Sequence, residues 1–231
     1  MTGNDPAHTA GSPAGPMDEF LSSYVDKYAE WKKSSGFPYS SRVIPVQESF
    51  SPKQWVLPSE QALSVLTEAR SFALTDCTCR SHYHRCDKPL DVCFLIDDLA
   101  DKAVSRGKAR RITLEEAEKT LRKCDEHGLV HMAYYLPGSR MYAFCSCCAC
   151  CCHDLQLLLQ YDRTDLVARS DYRAKTDTDL CISCGLCVDR CVFGARKMQD
   201  GKSEYNSASC LGCGLCVSPC PEHAITMEQR E

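Results

Sequence analysis

The chain has 231 residues, with 31 acidic against 27 basic side chains and a formal net charge of −4, too mild for nucleic acid or a lipid surface to be the expected main partner. Its 19 cysteines would suggest disulfides in a short secreted chain. Here, however, no apolar h-region or twin-arginine pair stands near Met1 and the cysteines crowd side by side, so a reduced, cytoplasmic protein from an anaerobic setting is expected. No apolar run approaches the roughly 18 residues of a membrane helix, and no span is expected.

Residues 1–16 are rich in Pro, Gly, Ala and Thr and read as a disordered leader. From Asp18 to Lys33, Phe20, Leu21, Tyr24, Tyr28 and Trp31 recur at helical spacing. This aromatic stripe serves either core packing or docking of a partner or a second subunit. Gly36 to Pro58 carries Pro38, Pro45, Pro52 and Pro58 without a period, as an extended arm would. Ser59 to Phe72 reads as a helix with Ala62, Leu63, Leu66 and Ala69 on one face.

Next come Cys77, Cys79, Cys86 and Cys93, four thiols within 17 residues. Cys77 and Cys79 would share a face of an extended segment. The spacing is not that of a zinc finger. Iron–sulfur ligation, zinc with help from His82 or His84, and free thiols are the three readings.

Leu90 to Arg106 reads as a helix, and Arg106 to Arg111 as a basic turn. Thr113 to His127 is a better-defined helix, with Thr113 and Glu116 forming a capping box and Gly128 as a left-handed stop. Cys124, isolated inside it, reads as a small buried hydrophobe. Leu129 to Leu136 and Met141 to Cys147 read as strands joined at Pro137-Gly138-Ser139-Arg140. Helix, helix and hairpin is the order of a winged helix, which raises the alternative of a redox-sensing regulator. Glu115, Glu116 and Glu118 at the head of its would-be recognition helix would repel phosphates, so nucleic acid is not the expected partner.

The run Cys145-Ser146-Cys147-Cys148-Ala149-Cys150-Cys151-Cys152 sets six thiols in eight positions, more than packing requires. Cys145 and Cys147 can share a strand face, and Cys148 and Cys151 would share a helical one if a helix has begun by then. Asp154 to Tyr161 continues as a helix. With Cys77, Cys79, Cys86 and Cys93 these make ten candidate ligands, enough for one or two further iron–sulfur clusters.

The last stretch repeats itself. Cys181-x2-Cys184-x2-Cys187-x3-Cys191 is answered 29 residues later by Cys210-x2-Cys213-x2-Cys216-x3-Cys220-Pro221, with Gly185, Val188 and Ala195 returning as Gly214, Val217 and Ala224. This resembles the bacterial two-[4Fe–4S] ferredoxin domain. The resemblance implies one cluster on Cys181, Cys184, Cys187 and Cys220, and another on Cys210, Cys213, Cys216 and Cys191. Glycine at 185 and 214 would let backbone amides approach the inorganic sulfurs. Cys191-Val192 stands where many such domains have Cys-Pro. Zinc ribbons lack the x3-Cys partner, which weighs against zinc here.

As a set, Cys77-x-Cys79-Arg80, Cys86-Asp87-Lys88-Pro89-Leu90-Asp91-Val92-Cys93, Gly128-Leu129-Val130-His131-Met132 and the 145–152 run resemble a broad group of multicluster ferredoxin-like proteins of anaerobes. The expected fold is α+β. A leader at 1–16 and an aromatic helix with arm at 17–57 precede a mainly helical cysteine-rich iron–sulfur domain with a winged-helix-like hairpin at 58–165 and a dicluster ferredoxin domain at 166–231. The expected function is single-electron transfer between a redox enzyme and a donor or acceptor protein. Two [4Fe–4S] clusters and one or two additional N-terminal clusters would carry it. The other alternative is an oxidoreductase with a substrate- or disulfide-reducing cluster at Cys145–Cys152. The Cys-Cys-Gly signature of such sites is absent, since Ala149 and His153 follow the doublet and triplet.

Overall fold

Six consecutive residues, DVCFLI at 91–96, decide the architecture of the front half. A short apolar run rich in branched and aromatic side chains suits a strand buried on both faces, and it forms one inside a seven-stranded sheet, third from one edge. The computed structural model describes residues 15–35, 41–44, 62–136 and 140–230. In chain order its elements are α1 (Glu19–Ser35), β1 (Ser41–Ile44), α2 (Ala62–Glu68), β2 (Phe72–Asp76), α3 (Thr78–Tyr83), β3 (Asp91–Ile96), α4 (Asp97–Ser105), β4 (Arg110–Arg111), α5 (Leu114–Glu126), β5 (Val130–Leu136), β6 (Arg140–Cys147), α6 (His153–Tyr161), β7 (Val167–Ala168), β8 (Tyr172–Thr176), α7 (Leu186–Asp189), β9 (Arg196–Gln199), β10 (Lys202–Tyr205) and β11 (Ile225–Gln229).

The large sheet runs β4-β2-β3-β6-β5-β1-β7. Its pairings are antiparallel except β1 with β7. Because side chains alternate across a strand, register decides what each face carries. Phe94 lies opposite Phe144, and their stacked rings, 4.8 Å apart, join Leu74, Ala133, Leu66 and the α5 residues Ala117 and Leu121 in one core. Burying each of these phenyl rings contributes about 2 kcal/mol. The neighbouring pair, Cys93 opposite Cys145, must therefore face the other way. That second face, with Met132, Tyr134, Ala143 and Cys147, is covered by Leu21 and Tyr28 of α1, by Leu155 and Leu157 of α6, and by Leu211, Cys213 and Leu215 from the C-terminal region.

Two expectations are corrected. The helix foreseen over Leu90 to Arg106 is β3 followed by α4, with Asp97 at φ 52 making the break. The mainly helical front half with a winged-helix-like hairpin is instead sheet-centred. The β5–β6 hairpin is there, but it lies inside the sheet with β3 on one side and β1 on the other. A wing needs a free edge, and this hairpin has none.

Of the capping box expected on α5 the Thr113 half is present, its side chain accepting from the Glu116 backbone N–H at 3.2 Å, and Gly128 is left-handed at φ +63. The Glu116 carboxylate pairs with Arg110. The aromatic stripe of α1 is core, with Leu21 and Tyr28 buried. Within the expected arm, β1 is a strand, and the rest of 36–58 lies outside the described residues, as do the leader up to residue 14 and the turn at 137–139. No helix among the described residues is long and apolar enough to cross a membrane.

Candidate metal centres

The C-terminal cysteine loops are closed by β8 paired with β11 and by the β9–β10 hairpin. Asp200 and Gly201 both take positive φ at the hairpin tip, as a two-residue turn matched to strand twist requires. Cys191 from the first run meets Cys210, Cys213 and Cys216 from the second around one cavity. These four are the crossed set that the ferredoxin resemblance implies. Gly214, at φ +77, lines that cavity too. Of the other four cysteines, Cys187 and Cys220 pack in the same buried cluster, and the Cys220 sulfur accepts from the Ala224 N–H at 3.3 Å. Cys181 and Cys184 lie in the loop before α7, with Cys184 exposed.

The donor set and its surroundings fit an anionic metal cluster. Arg196 is buried, donates to Thr176 Oγ1 at 3.0 Å and lies over the Tyr205 ring. Burial disfavours its charge, yet the Cys216, Cys187 and Cys191 sulfurs hold its pKa above the ordinary value. A buried guanidinium needs anions, and thiolates on iron would supply them.

In the front half the sheet's second face gathers six thiols into a chain of contacts. Cys77, Cys79 and Cys93, with Cys145 against them, pack in one buried cluster and Cys147 and Cys152 in the adjoining core, and electrostatic interaction runs from Cys145 through Cys93, Cys77, Cys79 and Cys152 to Cys147. They come from the end of β2, the first turn of α3, β3, β6 and the residue before α6. Aromatic groups enclose them: the Tyr134 hydroxyl lies 3.9 and 3.8 Å from the Cys147 and Cys152 sulfurs. His153 meets Cys79 Sγ through Nδ1 at 3.0 Å and Tyr28 Oη through Nε2 at 2.7 Å, and Tyr24 stacks on it at 3.6 Å. Contacts from Cys79 and Cys93 hold the Cys77 thiol down at about 3. Burial opposes ionisation of Cys152, but Cys147 and Cys79 keep it well below the usual thiol range, while Cys152 and Cys77 push Cys79 up. Neighbouring thiols push Cys93 and Cys147 up as well, so Cys77 and Cys152 are the two favoured to ionise and a metal would displace the protons of the others.

A second group forms where the chain leaves β6. Cys86, Cys148, Cys150 and Cys151 have their sulfurs all within 4.8 Å of one another. Cys148 departs to the opposite side from Cys147, as successive residues at a strand end do. The Cys150 thiol holds Cys148 down at about 5; burial opposes this and Arg80 assists.

Arg80 joins the two groups. It is 1% exposed, donates to the carbonyls of Pro89 and Ser146 and lies 3.5 Å from Cys148 Sγ. Burial works against its charge, but Cys148, Cys77 and Cys147 raise its pKa. No carboxylate among the described residues is hydrogen-bonded or ion-paired to it, and its Nε is buried without a partner.

All ten front cysteines of the sequence reading lie close together: the Cys86 sulfur is grouped with those of Cys148, Cys150 and Cys151, while Cys86 still packs against the buried cluster that holds Cys77, Cys79 and Cys93. Cys145 and Cys147 share a face as expected. Cys148 and Cys151 come together in a turn, since α6 starts only at His153. His82 stacks on Phe20 and His84 ends α3 in the left-handed region, so the four-ligand group is all cysteine. Cys124 is fully buried, and burial pushes its thiol up to about 12, which suits packing. Sequence reasoning missed His153, Tyr28 and Gly212. It also missed the role of Arg80, whose one visible signal is a cation directly after Cys-x-Cys.

Among curated proteins nothing matches this chain. Residues 173–221 match the family model of a 4Fe-4S dicluster domain, which supports a ferredoxin-type domain and 4Fe-4S cluster binding in that segment.

Proposed function

We propose that the chain is an electron carrier of a reduced, cytoplasmic setting, passing single electrons between a donor and an acceptor protein through a ferredoxin-type dicluster region and at least one further iron–sulfur centre in the front half. The observation that carries this is continuity: Cys147 and Cys152 of the six-thiol chain share one packed core with Leu211, Cys213 and Leu215 of the second ferredoxin loop. In this reading Cys181, Cys184, Cys187 and Cys220 hold one [4Fe–4S] cluster and Cys191, Cys210, Cys213 and Cys216 the other, and both supply one-electron chemistry when bound. The chain's own part is to supply thiolates, keep water from the front site behind α1 and α6, and set buried arginines against the negative charge. Leu180, Ile182, Leu186 and Met198 are exposed around the Cys181–Cys187 loop. An apolar patch beside an accessible ligand suits docking of a redox partner.

A redox titration followed by electron paramagnetic resonance tests this. Signals beyond those of two cubanes, lost in Cys79→Ser but kept in Cys124→Ser, are expected. If only two centres ever titrate, the front half carries no electrons.

The oxidoreductase reading keeps one supporting observation: Cys86 and Cys150 are only half-buried. If small thiols, disulfides and ligands leave every cluster signal unchanged, that reading fails.

A further inference from the structure

The two front groups differ in size as well as in membership. In the smaller one Cys86 Sγ lies 3.7 Å from Cys148 Sγ and 4.0 Å from Cys151 Sγ, and Cys150 and Cys151 are 3.8 Å apart. A tetrahedral metal with sulfur ligands at about 2.3 Å has ligand-to-ligand edges of about 3.8 Å, which is the metal–sulfur distance multiplied by the edge ratio of a tetrahedron. Three of the six edges thus match a single-ion site, and all four sulfurs lie within 4.8 Å of one another. A four-iron cubane places inorganic sulfur and iron between its thiolates and needs a wider set. The six-thiol chain offers more ligands than any one ion takes.

We propose that Cys86, Cys148, Cys150 and Cys151 bind one tetrahedral thiophilic metal ion, zinc or iron, and that the six-thiol group alone holds the front half's iron–sulfur cluster. Tetrahedral four-sulfur sites belong to these metals. This rests on the reading that front thiols ligate metal, and it lowers the number of additional clusters to one. Arg80, against Cys148 and electrostatically coupled to Cys77 and Cys147, offsets the charge of both centres. Loading the site releases the protons of the thiols that were not already ionised. Its position fits a clamp: Cys86 follows α3 and the other three sit in the turn between β6 and α6, so one ion ties together the segments that also carry Cys79, Cys147 and Cys152 of the neighbouring group.

The test is a count of zinc, iron and acid-labile sulfide on the full chain purified anaerobically, as wild type and as the double variant Cys86→Ser/Cys150→Ser. Loss of about one metal ion per chain with sulfide unchanged is expected, and whether zinc or iron is lost identifies the ion. Loss of about four iron with about four sulfide, a cubane's worth, or no loss at all, overturns the proposal. X-ray absorption at the zinc and iron edges of the wild type needs no variant: a zinc site with only sulfur neighbours at about 2.3 Å, or a mononuclear iron signature, is expected, and the absence of both contradicts it. Failure of the wider electron-carrier reading would look different. Wild-type sulfide would then equal that of two cubanes whatever the double variant loses.

Discussion

In the proposed reading the ferredoxin-type segment and the front half use the same ligand atom in opposite ways. In the former, three ligands of each set arrive in one short local unit, x2 and x2 apart, and the fourth crosses from the other run at a fixed x3 offset, so spacing along the chain all but writes the site down. In the latter, neighbouring thiols are dealt to different groups: Cys147 and Cys152 to one, Cys148, Cys150 and Cys151 to the other. Only the register of β3 against β6, which sets Cys93 opposite Cys145, shows who belongs with whom. A locally coded site survives changes in the surrounding fold, whereas a site coded by topology is only as good as its sheet.

The sharpest way to break this contrast is at glycines, one in each region. Gly212 is left-handed at φ +79, and a Cβ there would lie 1.9 Å from the Tyr172 carbonyl oxygen of β8. Gly212→Ala should destabilise the second cysteine loop by on the order of 4 kcal/mol, overpacking against backbone adding to left-handed strain, with loss of the iron held there. Gly107, also left-handed, has nothing within 4 Å of its Cβ position, so Gly107→Ala should cost about 1 kcal/mol. Thermal melts with iron counts check both. Equal effects would mean that the loop does not lean on β8.

The buried arginines sharpen it next. Arg80→Met leaves anionic sulfur without its cation, a loss on the order of 3 kcal/mol, and should weaken iron retention and lower the reduction potential of the front centre alone. Arg196→Met should do the same to the dicluster signals alone. Arg80→Lys keeps the charge but not the fork that reaches the Pro89 and Ser146 carbonyls, and rescue should be partial. A redox titration in which Arg80→Met shifts the dicluster signals instead would contradict the division into two regions.

Much of this was legible in the residues. The α5 cap, the β5–β6 strands and the ferredoxin repeat followed from local chemistry: a threonine before a helix, alternation, and a fixed cysteine spacing. The β3 error arose because a six-residue apolar run carries no period to separate helix from strand, and its burial between β2 and β6 is a tertiary fact. The same gap hid the partition of the front thiols, since Cys86 and Cys148 are 62 residues apart. His153 stayed hidden as well. Next to a cysteine triplet it reads as a bystander until α1 brings Tyr24 and Tyr28 onto it.

A smaller effect separates the regions by acidity. His131 lies fully buried in the front sheet with Ser146 Oγ at 2.8 Å from Nδ1, and burial pushes its pKa down to about 3. The unfolded chain, with a histidine near 6.5, binds the proton first, so stability falls as pH drops from about 6.5 towards 3 and is flat above. At pH 5.5 this amounts to about 1.4 kcal/mol. In melts between pH 7.5 and 5.5, His131→Gln should lose less stability than the wild type. A parallel decline would show that His131 is not the titrating group.

The central claim, that front-half sulfur holds an iron–sulfur cluster as the C-terminal sulfur does, is tested most directly by iron and acid-labile sulfide per chain in anaerobically purified wild-type protein. At least about twelve sulfide, the two cubanes and one further cluster of that size or larger, is the predicted result. About eight, the content of two cubanes alone, would contradict the account.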